Sequence, residues 1–229
     1  MKVFKHGDYL QRLVQYGMVN CYFVVEEDSL TLIDAGLPGN ADKFTAIAHQ
    51  IGKPITRITL THPHSDHIGS FDDICAQWPD AEIAVSARTA DFLAGKLELL
   101  PDEPQAKLKG QYVASMTKPT RILHPGDQLG SLTVVDSSGH TPGHTAFLDE
   151  RDRTLIAGDS FQTKAGLAVA GTVRWLFPFP AFATWHKPTA LESARRLHAL
   201  NPSRLAVGHG IVLEDPADAM AVAIEEASS

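Results

Sequence analysis

The sequence predicts an α/β protein built from two mixed β-sheets, back to back, with helices outside them. Three observations carry that expectation. Short runs of β-branched and aromatic residues recur along the whole chain, and segments with helical spacing fall between them. Each half also closes a strand on a histidine, at Leu60-Thr61-His62 and at Val207-Gly208-His209. Periodicity by itself leaves other α/β layouts open.

The elements follow in order. Asn20–Glu26 and Leu30–Asp34 are rich in Val, Ile, Phe and Leu and read as strands joined by a Glu27-Asp28-Ser29 turn. After the break at Ala35 to Asn40, Ala41–Ile51 places Phe44, Ile47, Ala48 and Ile51 on one helical face. Ile55–Thr61 reads as a strand, Ile68–Trp78 as a helix closed by Pro79, and Glu82–Ser86 as a strand. Residues 95–119 mix charges and prolines with little periodicity, which suggests a mobile insertion with some helix, either a lid or a plain surface excursion. Strands return at Arg121–His124, Leu132–Asp136, Thr145–Asp149 and Thr154–Asp159; helix Thr189–Leu200, strand Arg204–Val207 and helix Pro216–Ala227 finish the chain. The second half repeats the order of the first. Residues 1–229 are therefore read as a single domain with pseudo-repeat halves at about 1–118 and 119–229. Strand ends would meet along one edge, where loops can build a site.

Composition narrows the class. The chain has 229 residues, 44% hydrophobic and 21% charged, which excludes intrinsic disorder and collagen-like or coiled-coil architectures. A formal charge of −7 gives no electrostatic reason to seek nucleic acid. Cys21 and Cys75 lie in apolar stretches outside any CxxC pair and read as buried, inert thiols. The N-terminal Met1–Asp8 segment has charges with no apolar run behind it, so no secretory signal is expected. Gly166–Trp185 is the most hydrophobic stretch, but Arg174, Pro178 and Pro180 argue against a membrane span. The expectation is a cytoplasmic protein without membrane or nucleic-acid partners, with a homodimer left open.

The chemistry concentrates in four places. Thr61-His62-Pro63-His64-Ser65-Asp66-His67 puts three histidines and a carboxylate within six residues behind a buried strand. Alternate residues of an extended segment share a face, so His62 and His64 can address one cation while Asp66 and His67, past the bend, address a second. Ser138-Gly139-His140-Thr141-Pro142-Gly143-His144 supplies two more histidines, one a ligand and the other a hydrogen-bonding neighbour. Gly158-Asp159 ends an apolar strand on a carboxylate, which is costly there unless a cation accompanies it. Gly208-His209-Gly210 completes five histidine and two aspartate ligands. Seven ligands suit two adjacent divalent metals sharing one carboxylate, zinc foremost, with iron or manganese also compatible. Such a pair can hold a bridging hydroxide at neutral pH, a nucleophile that needs no serine or cysteine.

The order HxHxDH, GHTPGH, GD and GHG resembles the metallo-β-lactamase superfamily of metal-dependent hydrolases, and the resemblance spans essentially the whole chain. It implies an αββα sandwich with metals at the sheet edge. It also implies one metal on His62, His64 and His140, a second on Asp66, His67 and His209, and Asp159 bridging them. His144 would support the ligands from behind, and Asp34, at the end of its strand, would orient ligand histidines. The resemblance implies hydrolysis of a carbonyl ester, lactone or thioester of a small molecule, with Asp66 passing a proton to the leaving group and Asp159 indispensable. A mononuclear iron oxygenase like the superfamily's sulfur dioxygenases is the alternative; a non-catalytic binding protein on the same fold is a second. Well-known lactonases of the superfamily carry a tyrosine three residues after the bridging aspartate, where this chain has Gln162. Between Asp159 and His186 lie Phe161, Trp175, Phe177, Phe179, Phe182 and Trp185, an aromatic segment (161–185) read as either an apolar wall over the metals or an interface. His186 either reaches the site or starts the next helix.

Overall fold

The computed structural model describes residues Met1–Ser229 and divides into two compact units. The first comprises Met1–Lys96 and Tyr112–Leu123; the second comprises Leu97–Gln111 and His124–Ser229.

The first unit is a seven-stranded mixed sheet: β1 (Lys2–His6), β2 (Leu10–Gln15), β3 (Val19–Val25), β4 (Leu30–Ile33), β5 (Ile55–Thr59), β6 (Glu82–Ser86) and β7 (Arg121–Leu123), in that spatial order. Strands β1 to β4 form an antiparallel meander, while β4 to β7 pair in parallel. Parallel neighbours need crossovers. Here α1 (Ala41–Ile51) links β4 to β5, α2 (Ser65–Ile68) and α3 (Phe71–Gln77) link β5 to β6, and α4 (Ala87–Leu93) begins the passage to β7. Helix α1 buries Phe44, Ile47 and Ala48 against Phe23, Leu32 and Ile58 and ends on Gly52, whose N–H bonds the carbonyls of Ala48 and His49.

Three expectations change here. The helix read as Ile68–Trp78 is two helices broken at Gly69-Ser70. Gly69 N–H bonds Gly36 O, and Ser70 Oγ donates to Leu37 O while accepting from Asn40 N–H, so this pair is drawn onto the loop after β4 instead of continuing a helix. The segment 95–119 forms no helix. Its far part is tied down, with Ser115 N–H bonding Leu93 O and the Asp72 carboxylate accepting from Met116 and Thr117 N–H at 2.9 Å each and from Ser115 Oγ. Finally, the β1–β2 hairpin and α4 were not foreseen: β1 is largely exposed and lacks apolar alternation, and α4 is announced only by its Ser86 cap.

The second unit is a six-stranded mixed sheet ordered β15-β14-β11-β10-β9-β8. Its members are β8 (Gln128–Leu129), β9 (Leu132–Asp136), β10 (Thr145–Asp149), β11 (Thr154–Ile156), β14 (Arg204–Ala206) and β15 (Leu213–Glu214). A small ribbon of β12 (Phe161–Gln162) and β13 (Ala168–Val169) stands beside it. Helices α5 (Phe179–Phe182), α6 (Lys187–Ala199) and α7 (Ala217–Ser228) complete the unit. Ala194 and Leu197 of α6 and Met220 and Ala223 of α7 share a core with Ala146, Leu148, Leu155 and Leu205 of the sheet. No helix is long and apolar enough to cross a membrane. His186 caps α6, its Nδ1 accepting from Thr189 N–H, so it starts the helix.

The loop from β9 to β10 is pinned to the start of α6. His186 N–H bonds Gly139 O, Trp185 N–H bonds His140 O, and Ser193 Oγ donates to Ser138 O. Gly139 sits at φ +139°, and a Cβ there would fall 2.3 Å from the Ala190 backbone. Gly139→Ala is therefore expected to destabilise the fold by about 2 kcal/mol or more, lowering the melting temperature by roughly 4 °C or more; thermal denaturation checks this. Partial burial pushes the Asp72 carboxyl up, but the bonds from Ser115, Met116 and Thr117 outweigh it and hold the group below its ordinary value. That stabilisation is present above the unfolded value of about 3.9 and is lost as pH falls through the folded one. The melting-temperature gap between the natural chain and Asp72→Ala is expected to be full at pH 7 and to close progressively below about pH 4.

Candidate metal centre

In the first unit, β4 and β5 run parallel with Ile33 opposite Thr59, so both strands deliver their following residues to one edge. Asp34 turns sharply there at φ +63° and is buried. Its Oδ1 accepts from Thr61 N–H at 2.7 Å; its Oδ2 accepts from Thr61 Oγ1 at 2.8 Å and from His67 Nδ1 at 2.9 Å. A carboxylate only accepts, so His67 carries its proton on Nδ1 and turns Nε2 outward as a lone pair. The Thr61 hydroxyl has spent its one proton on Asp34, so it must accept from His62 Nδ1 at 3.0 Å, which makes His62 Nε2 a lone pair as well. The His62 ring lies 4.1 Å from the His67 ring and 4.8 Å from the His64 ring, all three buried. Asp66 Oδ2 is 3.8 Å from His67 Nε2, and its side chain is 36% exposed.

Tyr112 covers His64. The two residues form a β-bridge and their rings stand edge to face at 5.0 Å, with the Phe92 ring also 5.0 Å from the phenol. Burial pushes the Tyr112 hydroxyl up, against the opposing pull of Arg88. Both cysteines are buried and free. Burial raises Cys21 far above its ordinary value, with Asp34 and Asp66 adding to it, and raises Cys75 to about 12. Neither supplies a thiolate near neutral pH.

The second unit repeats the device. Strands β11 and β14 pair in parallel with Ile156 opposite Ala206, and Asp159 and His209 each follow three residues later. Gly208 N–H bonds Gly158 O at 2.9 Å and holds the two strand ends level. The buried Asp159 Oδ2 lies 3.4 Å from His140 Nε2 and 3.2 Å from His209 Nε2. Thr184 Oγ1 donates to Pro180 O, so it must accept from His140 Nδ1 at 3.1 Å, leaving His140 Nε2 a lone pair. His144 differs. Its Nε2 accepts the Asp159 backbone N–H at 3.1 Å and its Nδ1 bonds Ser137 Oγ at 2.7 Å. Both ring nitrogens are engaged, and His144 supports Asp159 from behind.

The ligand-type side chains at the strand ends are His62, His64, Asp66 and His67 in the first unit and His140, Asp159 and His209 in the second, whereas Asp34 and His144 are engaged by protein groups. Thr61 and Thr184, which fix the tautomers of His62 and His140, were not anticipated from sequence. Thr61 adjoins the motif it serves, whereas Thr184 lies 44 residues beyond His140 and carries no local signal.

The metallo-beta-lactamase superfamily model matches residues 14–209. The chain belongs to that superfamily. It is 48% identical over 210 residues to the uncharacterized protein YobT of Bacillus subtilis, covering 91% of this chain and 90% of the relative. It is 32% identical over 218 residues to the probable metallo-hydrolase YflN of the same organism, covering 85% and 81%. A metallo-beta-lactamase from Pontibacter korlensis superposes with a TM-score of 0.73 over 100% of this chain and 99% of that one, at 14% identity, so it shares the fold. The expected fold class is thereby established.

Asp34→Asn tests the support beneath the rings. Whichever way its amide is turned, an N–H₂ group faces either the Thr61 N–H or the donors His67 Nδ1 and Thr61 Oγ1. Metal affinity, measured by chelator competition, is expected to fall about 10- to 100-fold.

Proposed function

We propose that this superfamily hydrolase is dinuclear and zinc-dependent, and that it cleaves a carbonyl ester, lactone or thioester of a small molecule. His62, His64 and His140 would hold one ion and Asp66, His67 and His209 the other, with Asp159 shared. The observation that carries the reading is the setting of Asp159. The His140 Nε2 and a carboxylate oxygen 3.4 Å apart in a buried place call for a positive charge between them, a metal ion or a proton. The donor set fits divalent metal: imidazoles and carboxylates, with lone pairs turned outward by the hydrogen bonds behind them.

When bound, such ions activate water and polarise a carbonyl oxygen. The chain's own residues do the rest. Asp34, Thr61 and Thr184 keep Nδ1 protonated on the rings they touch, so that Nε2 serves as the ligand atom. His144 fixes the Asp159 backbone and thereby the shared carboxylate. Asp66, solvent-accessible where its neighbours are buried, would deliver a proton to the leaving oxygen or sulfur. The raised thiols of Cys21 and Cys75 leave no cysteine nucleophile to compete in this role. Similarity to a probable metallo-hydrolase over most of both chains supports hydrolysis as the reaction class.

Elemental mass spectrometry on protein purified without added metal should find about two zinc ions per chain, in line with a seven-ligand set. His62→Ala and Asp159→Ala are each expected to lose metal and turnover together on a panel of esters, lactones and thioesters. Full turnover with both metals retained in either variant would refute the assignment. A single iron per chain, with oxygen uptake on a persulfide, would replace the hydrolase by an oxygenase.

A further inference from the structure

The aromatic segment of the second unit divides into a buried and an exposed set. Phe161, Phe177 and Trp185 are buried, whereas Trp175, Leu176, Phe179 and Phe182 are 82%, 91%, 68% and 57% exposed. Large apolar side chains so exposed, gathered within eight residues and with no charge among residues 175–185, are unusual on a water-facing surface. The strip is built rather than loose. Pro178 and Pro180 stiffen it, and Phe182 and Ala183 N–H bond the carbonyls of Pro178 and Phe179. Arg174 ties its start to Leu167 O and Glu226, and Trp185 ties its end through Nε1 to Ala106 O.

The strip is also continuous with the candidate centre. The Phe177 ring packs 5.4 Å from the His209 ring, and the Phe179 ring stands 5.5 Å from Phe177. An apolar path therefore runs from a proposed metal ligand outward to open surface. We propose that this strip is the seat of an apolar acyl chain, so that the substrate is an acyl ester or thioester whose carbonyl lies at the metals and whose hydrocarbon lies along Phe179, Leu176 and Trp175. This rests on the hydrolase reading above and adds the substrate class.

Two other occupants fit less well. The four side chains expose on the order of 600 Å², below the roughly 800 Å² that each partner gives to a standard protein interface but ample for a short hydrocarbon chain. A membrane surface would call for basic residues beside the apolar ones. Lys164 over the Phe177 ring is the one cation set against the strip, Arg174 is paired with Glu226, and the chain carries a net charge of −7.

The test uses p-nitrophenyl acetate, butyrate, hexanoate and octanoate with the metal-loaded protein. It is paired with octanoate itself, a non-hydrolysable probe titrated against tryptophan fluorescence. For the natural chain, kcat/KM is expected to rise about twofold per added methylene, because the tail is half covered. The triple substitution Trp175→Ser, Leu176→Ser, Phe179→Ser should flatten that rise by at least half while metal content stays unchanged. Octanoate should shift the fluorescence of the natural chain and leave that of Trp175→Phe unmoved. A chain-length slope that survives the triple substitution overturns the proposal. So does a concentration-dependent dimer, or binding to anionic vesicles, that the substitution abolishes without altering the slope. If no ester is cleaved and octanoate still shifts the Trp175 signal, the strip stands and the hydrolase reading falls; hydrolysis with a flat chain-length profile gives the reverse.

Discussion

Two carboxylates buried away from water, Asp34 and Asp159, set the terms for the edges on which they sit. A buried carboxylate must be met by donors or by cations, and the two are met differently. Asp34 is met by protons from Thr61 and His67, so it is spent within the protein and orients what surrounds it. One of the Asp159 oxygens faces the Nε2 atoms of two imidazoles, His140 and His209. The difference between the two carboxylates is thus written in the partners they meet, not in the residue type.

The same economy appears on both edges. A threonine hydroxyl has a single proton. Thr61 commits it to Asp34 and Thr184 to Pro180 O, and each must then accept from the Nδ1 of a neighbouring histidine. That fixes ring orientation and tautomer together, so the rings are prepared before any cation arrives. Keeping lone pairs and carboxylates close without cations opposes folding, so metal binding and stability should be coupled in this chain.

The aromatic strip belongs to a different part of the physics. Its exposed side chains contribute little to the core of the second unit, and the backbone beneath them is held by prolines and by ties at Arg174 and Trp185. Rigid apolar surface costs little entropy to use, which suits selection of hydrocarbon over polar groups.

Most of the strands and long helices, and the four motifs that supply the proposed ligands, were legible in the sequence. Apolar periodicity marks elements that bury one face, and four dense motifs mark places where histidine and aspartate are too concentrated to be incidental. Helix α1 and strands β6, β9 and β10 begin and end where the residue pattern puts them. The exposed β1, the break at Gly69-Ser70 and the helix-free 95–119 segment were not legible, because exposure and long-range hydrogen bonds leave no local pattern. Residue spacing left open which of His140 and His144 approaches the Asp159 carboxylate, where the resemblance named His140, and whether His186 joins the site. Tertiary structure decided both through partners far away in the chain: Thr184 for His140, the Asp159 backbone for His144 and the start of α6 for His186. Residue identity determines which atoms can bind a cation; only the fold determines which of those atoms are already occupied by a hydrogen bond.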